Sequence, residues 1–503
     1  LTDVHLDMQY AAGAEADCAV PPCCRRAPGS HPSVVPANAP SHEGARGTRA
    51  AAYGEHTCDT PLLLLQSVLD AGRQLKPDMV IWGGDTAPHA SASGGTAAAT
   101  RATHPTWHER DIAWFAIANA TAAVLAAFPG IPVFPSLGDT DFSATHASDS
   151  TPPASLWLTE AVADLWGDAG ARWLPRGAAT TLGWRGHYEA PGPPGSGVMV
   201  AVLNTEACHV RNFRAFADPD PTPDAQLYWL EGVLARARVA GNKVVVAGHI
   251  PPGLWGGCWG AHSQAYEAVV AAASDVVVAQ LFGHQHSGSF RLLRGDGGSA
   301  GTVGGLEDTG LPPPVTSVAF VTPSVTPYKD QDPSFRVYTV GVGVQGEGGS
   351  SEHELGVRGF EQYSARVADA RSLTAGHPLE WRVTFDPSAQ VAGMQHLRPA
   401  AMSALADRVK ANATFLAEYR ALEANGRPWM GSGHAGDYAC SLRTVRDAEL
   451  LPCVGKSEEI LVRQYTGSTH TYVLTALYPF SSIVRHFCSA LRDVHPSDCA
   501  DMR

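Results

Sequence analysis

Residues 276–286 read VVVAQLFGHQH, an apolar run that stops at Gly283 and sets His284 and His286 two positions apart. On an extended chain that spacing aims both imidazoles the same way. A β-branched run without alternation predicts a strand buried on both faces. The same grammar recurs outward from it. KVVVAGH at 243–249 ends in Gly248-His249, MVIWGGD at 79–85 ends in Gly84-Asp85, and the strand predicted over 133–137 runs into Gly138-Asp139. LTDVHLD at 1–7 reads as the end of a buried strand carrying Asp3 and His5. Five predicted strands therefore each finish in a turn bearing Asp or His. Between them, helical spacing predicts helices over 61–75, 107–128, 225–238 and 262–273, the first with Pro61 at its first position. Further strands are predicted at 198–204, 318–321 and 335–340, and the chain beyond about 395 reads as helical. Such alternation predicts an α/β fold with helices layered on sheet. In open α/β sheets the carboxyl ends of the strands line the ligand crevice, so the five turns are expected to converge.

Composition narrows the classes. The 503 residues carry a net charge of −13 and no Lys/Arg run, so no nucleic-acid polymer is expected as a partner. An apolar content of 44% excludes wholesale disorder, while 51 Gly and 37 Pro predict long loops. Among these are a Pro/Gly/Ala-rich stretch at 11–58, a small-residue insert at 90–105 and Gly-rich loops at 292–314 and 341–352. No apolar stretch reaches the ~18 residues that would span a bilayer, and a soluble globular protein is expected. The chain opens at Leu1 with no signal peptide in view. Ten cysteines, locally clustered and without CxxC pairs, predict disulfides in an oxidising compartment. Sequons at Asn119 and Asn412 agree with a secreted or lysosomal location.

The side chains at the five turns are carboxylate and imidazole, without thiolate. That set selects borderline to hard divalent ions such as zinc, manganese or iron. Seven candidate ligands, Asp3, His5, Asp85, Asp139, His249, His284 and His286, exceed one tetrahedral ion and suit two ions sharing a carboxylate. Two ions ~3.5–4 Å apart are the apparatus of phosphoester hydrolysis.

In this order, Asp-X-His, Gly-Asp, Gly-Asp-Thr, Gly-His and Gly-His-X-His, the motifs resemble those of the calcineurin-like metallophosphoesterases. Finer segments resemble the acid sphingomyelinase and sphingomyelinase-like phosphodiesterase family: ADCAVPPCCRR at 16–26, YGEHTCD at 53–59, GHIPPG at 248–253 and TPSVTPY at 322–328. The resemblance implies a β-sandwich of two mixed sheets flanked by helices over 1–394, then a small, disulfide-stapled helical subdomain over 395–503. It implies one zinc on Asp3, His5, Asp85 and His286, and a second on Asp85, His249 and His284, with Asp85 bridging. It places His89 near the leaving group. It implies the disulfides Cys18–Cys23, Cys24–Cys58, Cys208–Cys258 and Cys488–Cys499, which leaves Cys440 with Cys453. The activity implied is hydrolysis of sphingomyelin to ceramide and phosphocholine, or of a nucleotide-type or other activated phosphodiester.

One motif departs from the family. Where its Gly-Asn-His is expected, the chain reads Gly138-Asp139-Thr140. Asp139 can still ligate the second ion, and manganese or iron becomes an alternative to zinc there. Thr140 cannot protonate a departing oxygen as the family's histidine does. General-acid help is worth ~10²–10⁴-fold, so the change biases the enzyme toward leaving groups that need no proton, unless His89 or His146 substitutes. The competing reading is a catalytically weakened protein that retains its metals and binds phosphorylated lipids or nucleotides. Trp255, Trp259 and Tyr266 are candidates either for core packing or for contact with a lipid or choline. Peripheral membrane contact through the C-terminal helices is a further expectation, although no Lys/Arg-rich amphipathic stretch supports docking by charge.

Overall fold

The computed structural model describes residues 1–19, 21–25, 48–89, 109–142, 156–210, 212, 224–295, 313–342, 355–372, 377–425 and 435–455. The insert at 90–105, His146, Cys488 and Cys499 lie outside the described residues.

A six-stranded sheet forms the first layer, in the order β3 (Tyr188–Pro191), β4 (Val198–Val202), β5 (Lys243–Ala247), β6 (Val277–Phe282), β8 (Val315–Val321) and β7 (Ser289–Arg294). β4, β5, β6 and β8 are parallel, and antiparallel β3 and β7 close the edges. The runs VVVA and VVAQLF are buried along their length because helices cover one face and a second layer covers the other. Helices α5 (Asp224–Ala240) and α6 (Gly260–Ala271) supply Leu230, Leu234, Tyr266 and Val270 to the outer core against Val244 and Val246.

The second layer is less regular than the expected mixed sheet. It contains a parallel pair, β1 (Val80–Trp82) with β2 (Val133–Pro135), and an antiparallel trio, β9 (Ser334–Val342), β10 (Leu355–Ser364) and β11 (Arg382–Phe385). Residues 1–7, expected as the end of a buried strand, form no ladder among the described residues and one bridge, Leu6 to Thr60. They still join the two pieces. Asp3 N donates to Gly84 O at 3.1 Å on one side, while Thr326 N donates to Asp3 O at 3.0 Å on the other. Ser334 N then donates to Ser324 O at 2.8 Å, which carries the connection into β9. Regular pairing fails because Asp3, His5 and Asp85 sit at φ 51°, 43° and 52°, outside the strand region. Between the layers, Phe290, Phe320 and Val278 of the first pack with Val357 and Phe360 of the second.

Helix α1 (Leu62–Gln74) begins one residue after the expected position, with Pro61 as its cap, and buries Leu64, Leu65, Val68 and Leu69. Helix α2 is Glu109–Ala127. Helices α3 (Leu156–Trp166) and α4 (Arg176–Arg185), and strands β3, β7, β10 and β11, were not anticipated from the sequence.

The C-terminal region is helical: α7 (Pro399–Ala411), α8 (Ala413–Glu423), α9 (Ala435–Arg443) and α10 (Asp447–Val454). Cys440 and Cys453 are disulfide-bonded and staple α9 to α10. Met402, Leu405 and Leu416 join the same core as Phe290 and Leu292. Among the described residues, no helix is long and apolar enough to cross a membrane.

A buried ion pair, Arg336 with Glu423, ties β9 to α8. Arg336 also donates to Gln362 Oε1 at 2.9 Å and Val321 O at 3.0 Å, and Tyr419 Oη donates to Glu423 Oε1 at 2.6 Å. Removing one partner strands the other charge in low dielectric, so Glu423→Ala is expected to cost about 3–5 kcal/mol. A fall in the thermal midpoint checks this; an unchanged midpoint means the charge finds water.

Candidate metal centre

The seven candidate ligands meet at the carboxyl-terminal end of the first sheet, where it faces residues 1–7. Their ligand atoms fall into overlapping groups, each within 4.8 Å: Asp3, His5 and Asp85; Asp85, Asp139, His249 and His284; and His5, His286 and His89. Asp85 belongs to two of these groups. Five of the seven, Asp3, His5, Asp85, His284 and His286, hold a left-handed backbone with φ between 43° and 71°. Each such residue costs about 1–3 kcal/mol, which surrounding structure has to offset.

Two glycines explain why the motifs take the form Gly-Asp and Gly-His. A Cβ on Gly138 would lie 2.2 Å from Asp85 Oδ1, and one on Gly283 would lie 2.6 Å from Asp3 Oδ2. No side chain fits at either position. The carboxylates press directly against the neighbouring turn.

Backbone carbonyls set the imidazole orientation. His5 Nδ1 donates to Ala87 O at 3.0 Å and His249 Nδ1 donates to Gly83 O at 2.7 Å. A carbonyl only accepts, so each Nδ1 carries a proton and Nε2 is the nitrogen that points inward as the ligand atom. His249 Nε2 stands 3.1 Å from Asp139 Oδ1 and 3.2 Å from Asp85 Oδ2. His5 Nε2 stands 3.4 Å from Asp85 Oδ2 and 3.2 Å from His286 Nε2, which is 3.6 Å from Asp3 Oδ1. His284 turns Nδ1 toward Asp139 Oδ1 at 3.1 Å, and its backbone N–H donates to Asp3.

The electrostatics ask for cations. Asp3, Asp85 and Asp139 are buried together, and two further buried carboxyls stand behind them, Asp141 and Glu206. Asp141 clamps two turns by accepting from Thr86 N, Ala87 N and Gly138 N at 2.8–2.9 Å. Burial, with Asp85 alongside, pushes its carboxyl up to about 7. Burial also raises Asp3, and raises Glu206 well above the carboxylate range with Asp139 adding to it. Burial lowers His5 to about 3, with His89 adding to the effect. His249 runs the other way: burial disfavours its charge, but Asp85 and Asp139 outweigh that and hold it well above the usual value. Imidazoles facing several buried carboxylates make a donor set that fits divalent cations in chemistry, charge and count. A fourth group, Cys208, Cys258 and His262, does not fit, because Cys208 and Cys258 are joined in a disulfide.

The model of the calcineurin-like phosphoesterase family matches residues 2–288, more than half of the chain. The chain belongs to the calcineurin-like phosphoesterases. Within that family it is related to the sphingomyelinase-like proteins at moderate identity. It is 33% identical to the human sphingomyelin phosphodiesterase over 349 residues, covering 68% of this chain and 47% of that protein. It is 28% identical to sphingomyelin phosphodiesterase A of Dictyostelium discoideum, covering 83% and 61%. It is 29% identical to the human acid sphingomyelinase-like phosphodiesterase 3b, covering 65% and 62%. The match thus spans about half to three-fifths of each relative's own length.

The calcineurin-like site has an outer ring, of which sequence reasoning assigned His89 alone. His89 stacks on His5 with ring centroids 3.8 Å apart, and its Nδ1 faces Asp59 Oδ1 at 2.8 Å. Asp59 Oδ2 also accepts from His89 N at 2.7 Å, so one carboxylate fixes both ring and backbone. The other His89 nitrogen, Nε2, is left toward the cluster. Asp59 follows Cys58 in YGEHTCD, a segment noticed but not given a role; the Cys24–Cys58 disulfide anchors it. Cys18 and Cys23 are also bonded. Asp141, Glu206 and Tyr328 were likewise unassigned.

Thr140 is committed elsewhere. Its hydroxyl donates to Ala87 O at 3.0 Å, and its N–H donates to Asp85 Oδ1 at 2.9 Å. Tyr266 is a core residue donating to Gln280 Oε1 at 2.7 Å, and buried Trp255 packs with Leu254 in a small cluster that Trp259 flanks. Asn119 lies within α2 and donates to Phe115 O, whereas exposed Asn412 caps α8 by accepting from Phe415 N.

Proposed function

We propose that this chain is a dinuclear, metal-dependent phosphodiesterase that acts on phosphodiesters with a good leaving group. The observation that carries the reading is Asp85, shared between two donor groups and flanked by the inward-pointing Nε2 atoms of His5 and His249. Zinc at both positions matches the imidazole-rich set, with manganese or iron the alternative beside Asp139. Two such ions, when bound, supply Lewis acidity toward the phosphoryl oxygens and toward water. The protein's own part is to hold those ligands in place and to set His89 beside the departing oxygen, where only its imidazolium form donates a proton and so replaces the histidine missing at 140 in part. Asp59 accepts from His89 Nδ1 and fixes the orientation of the ring there. The names of its relatives support sphingomyelin as a substrate class. Thr140, whose hydroxyl is turned to a carbonyl, supports a bias toward activated diesters or anhydrides. Four disulfides and exposed Asn412 support an oxidising, secreted or lysosomal location and glycosylation.

The test is metal analysis together with hydrolysis of bis(4-nitrophenyl) phosphate and sphingomyelin at acid and neutral pH, with and without added zinc. Two ions and turnover of the aryl diester are expected. Thr140→His is expected to raise sphingomyelin turnover by about 10²-fold, the lower range of general-acid catalysis. No rise overturns the leaving-group argument. Two ions without turnover of any diester leave the second reading, a metal-retaining binding protein, which the loss of a proton donor at Thr140 favours.

A further inference from the structure

A train of rings leads out of the metal centre. His5 stacks on His89 at 3.8 Å, His89 tilts against Tyr328 at 4.8 Å, and Lys329 Nζ stands 5.8 Å from the Tyr328 ring. Burial falls along it, from His5 through half-buried His89 and Tyr328 to an exposed Lys329. The end of the train is held under strain: Lys329 and Asp330 take φ 67° and 59° in succession, and Gln331 N closes the turn on Pro327 O at 3.1 Å. Two successive non-glycine residues in that region are uncommon. The other cation nearby, Arg25, is buried and spent on Asp7 at 2.6 Å and on His89 O. Among the described residues, no carboxylate pairs with the Lys329 ammonium. The turn thus sets that ammonium beyond Tyr328, on the His89 side of the metal centre, in a protein whose net charge is −13.

We propose that Lys329 is a specificity residue that receives a second phosphoryl group of the substrate, joined to the scissile phosphorus through the bridging oxygen. The class it selects is a diphosphate ester, not a lipid bearing the cationic choline head. This rests on the dinuclear phosphodiesterase reading and on His89 lying beside the departing oxygen. In the reaction, water oxygen bonds to the ester phosphorus and the bridging P–O bond breaks. Its electron pair leaves with the terminal phosphate, and the two hydrogens of water are shared between the products. A phosphate leaving group needs little protonation, which agrees with Thr140. What it needs is a cation near its developing charge, and Lys329 supplies one.

The test compares kcat/KM for ADP and for geranyl diphosphate, the two sources of this chemistry, with that for bis(4-nitrophenyl) phosphate in the metal-loaded protein. Lys329→Gln is expected to lower the ratio of diphosphate to aryl diester by about tenfold, Lys329→Glu to lower it further, and Lys329→Arg to preserve it. A preference for ADP over geranyl diphosphate, or the reverse, assigns the source. The same ratio in all variants, or an equal loss with Arg, overturns the assignment of Lys329 while leaving the phosphodiesterase reading standing. A parent protein that holds two ions and cleaves none of the three overturns both.

Discussion

Asp85→Asn is expected to remove turnover by 10³-fold or more and to leave the protein with at most one tightly held ion. The substitution keeps shape and even the contact with Thr140 N, and changes only the charge at the one carboxylate common to two donor groups. Loss of a bridging ligand weakens both metal positions at once, whereas loss of a terminal one weakens one. Metal analysis reads the stoichiometry directly. A variant that keeps both ions and parental turnover would remove the bridge from the account.

The second large effect is at His89. His89→Gln is expected to slow hydrolysis of diesters with poor leaving groups by about 10²–10⁴-fold and to spare the aryl diester. A proton donor matters in proportion to the basicity of what departs. Asp59→Asn should show the same selectivity at about a tenth of the size, by loosening the ring it holds at 2.8 Å. Because His89 also lies within ligand distance of His5 and His286, metal content decides between roles. Two ions in the variant keep His89 as the acid; loss of one makes it a ligand.

Most of the centre was legible because buried parallel strands leave a strong mark. A strand covered on both faces must be apolar and β-branched along its length, so VVVA and VVVAQLF announce themselves, and a polar residue after their stop must lie in the turn. That reasoning located Asp85, Asp139, His249, His284 and His286. It worked less well at the N-terminus. Asp3 and His5 reach the same place, but on a segment with left-handed residues and no ladder, since the turns crowd too closely for regular pairing. β10 hid because its register shifts between Val357 and Gly359, which breaks the alternation a half-buried strand should show.

What the sequence alone determined is the local chemistry: which turns carry acids and imidazoles, that thiolates are absent from them, and that Gly138-Asp139-Thr140 lacks a proton donor. Those are properties of residue type and near-neighbour spacing. Tertiary structure alone decided which distant groups act together. Asp59 reaches His89 across thirty positions, Asp141 ties two turns, and Lys329 arrives at the end of a ring train that begins at His5. Such pairings depend on how layers stack and where a strained turn points, and no periodicity along the chain encodes that.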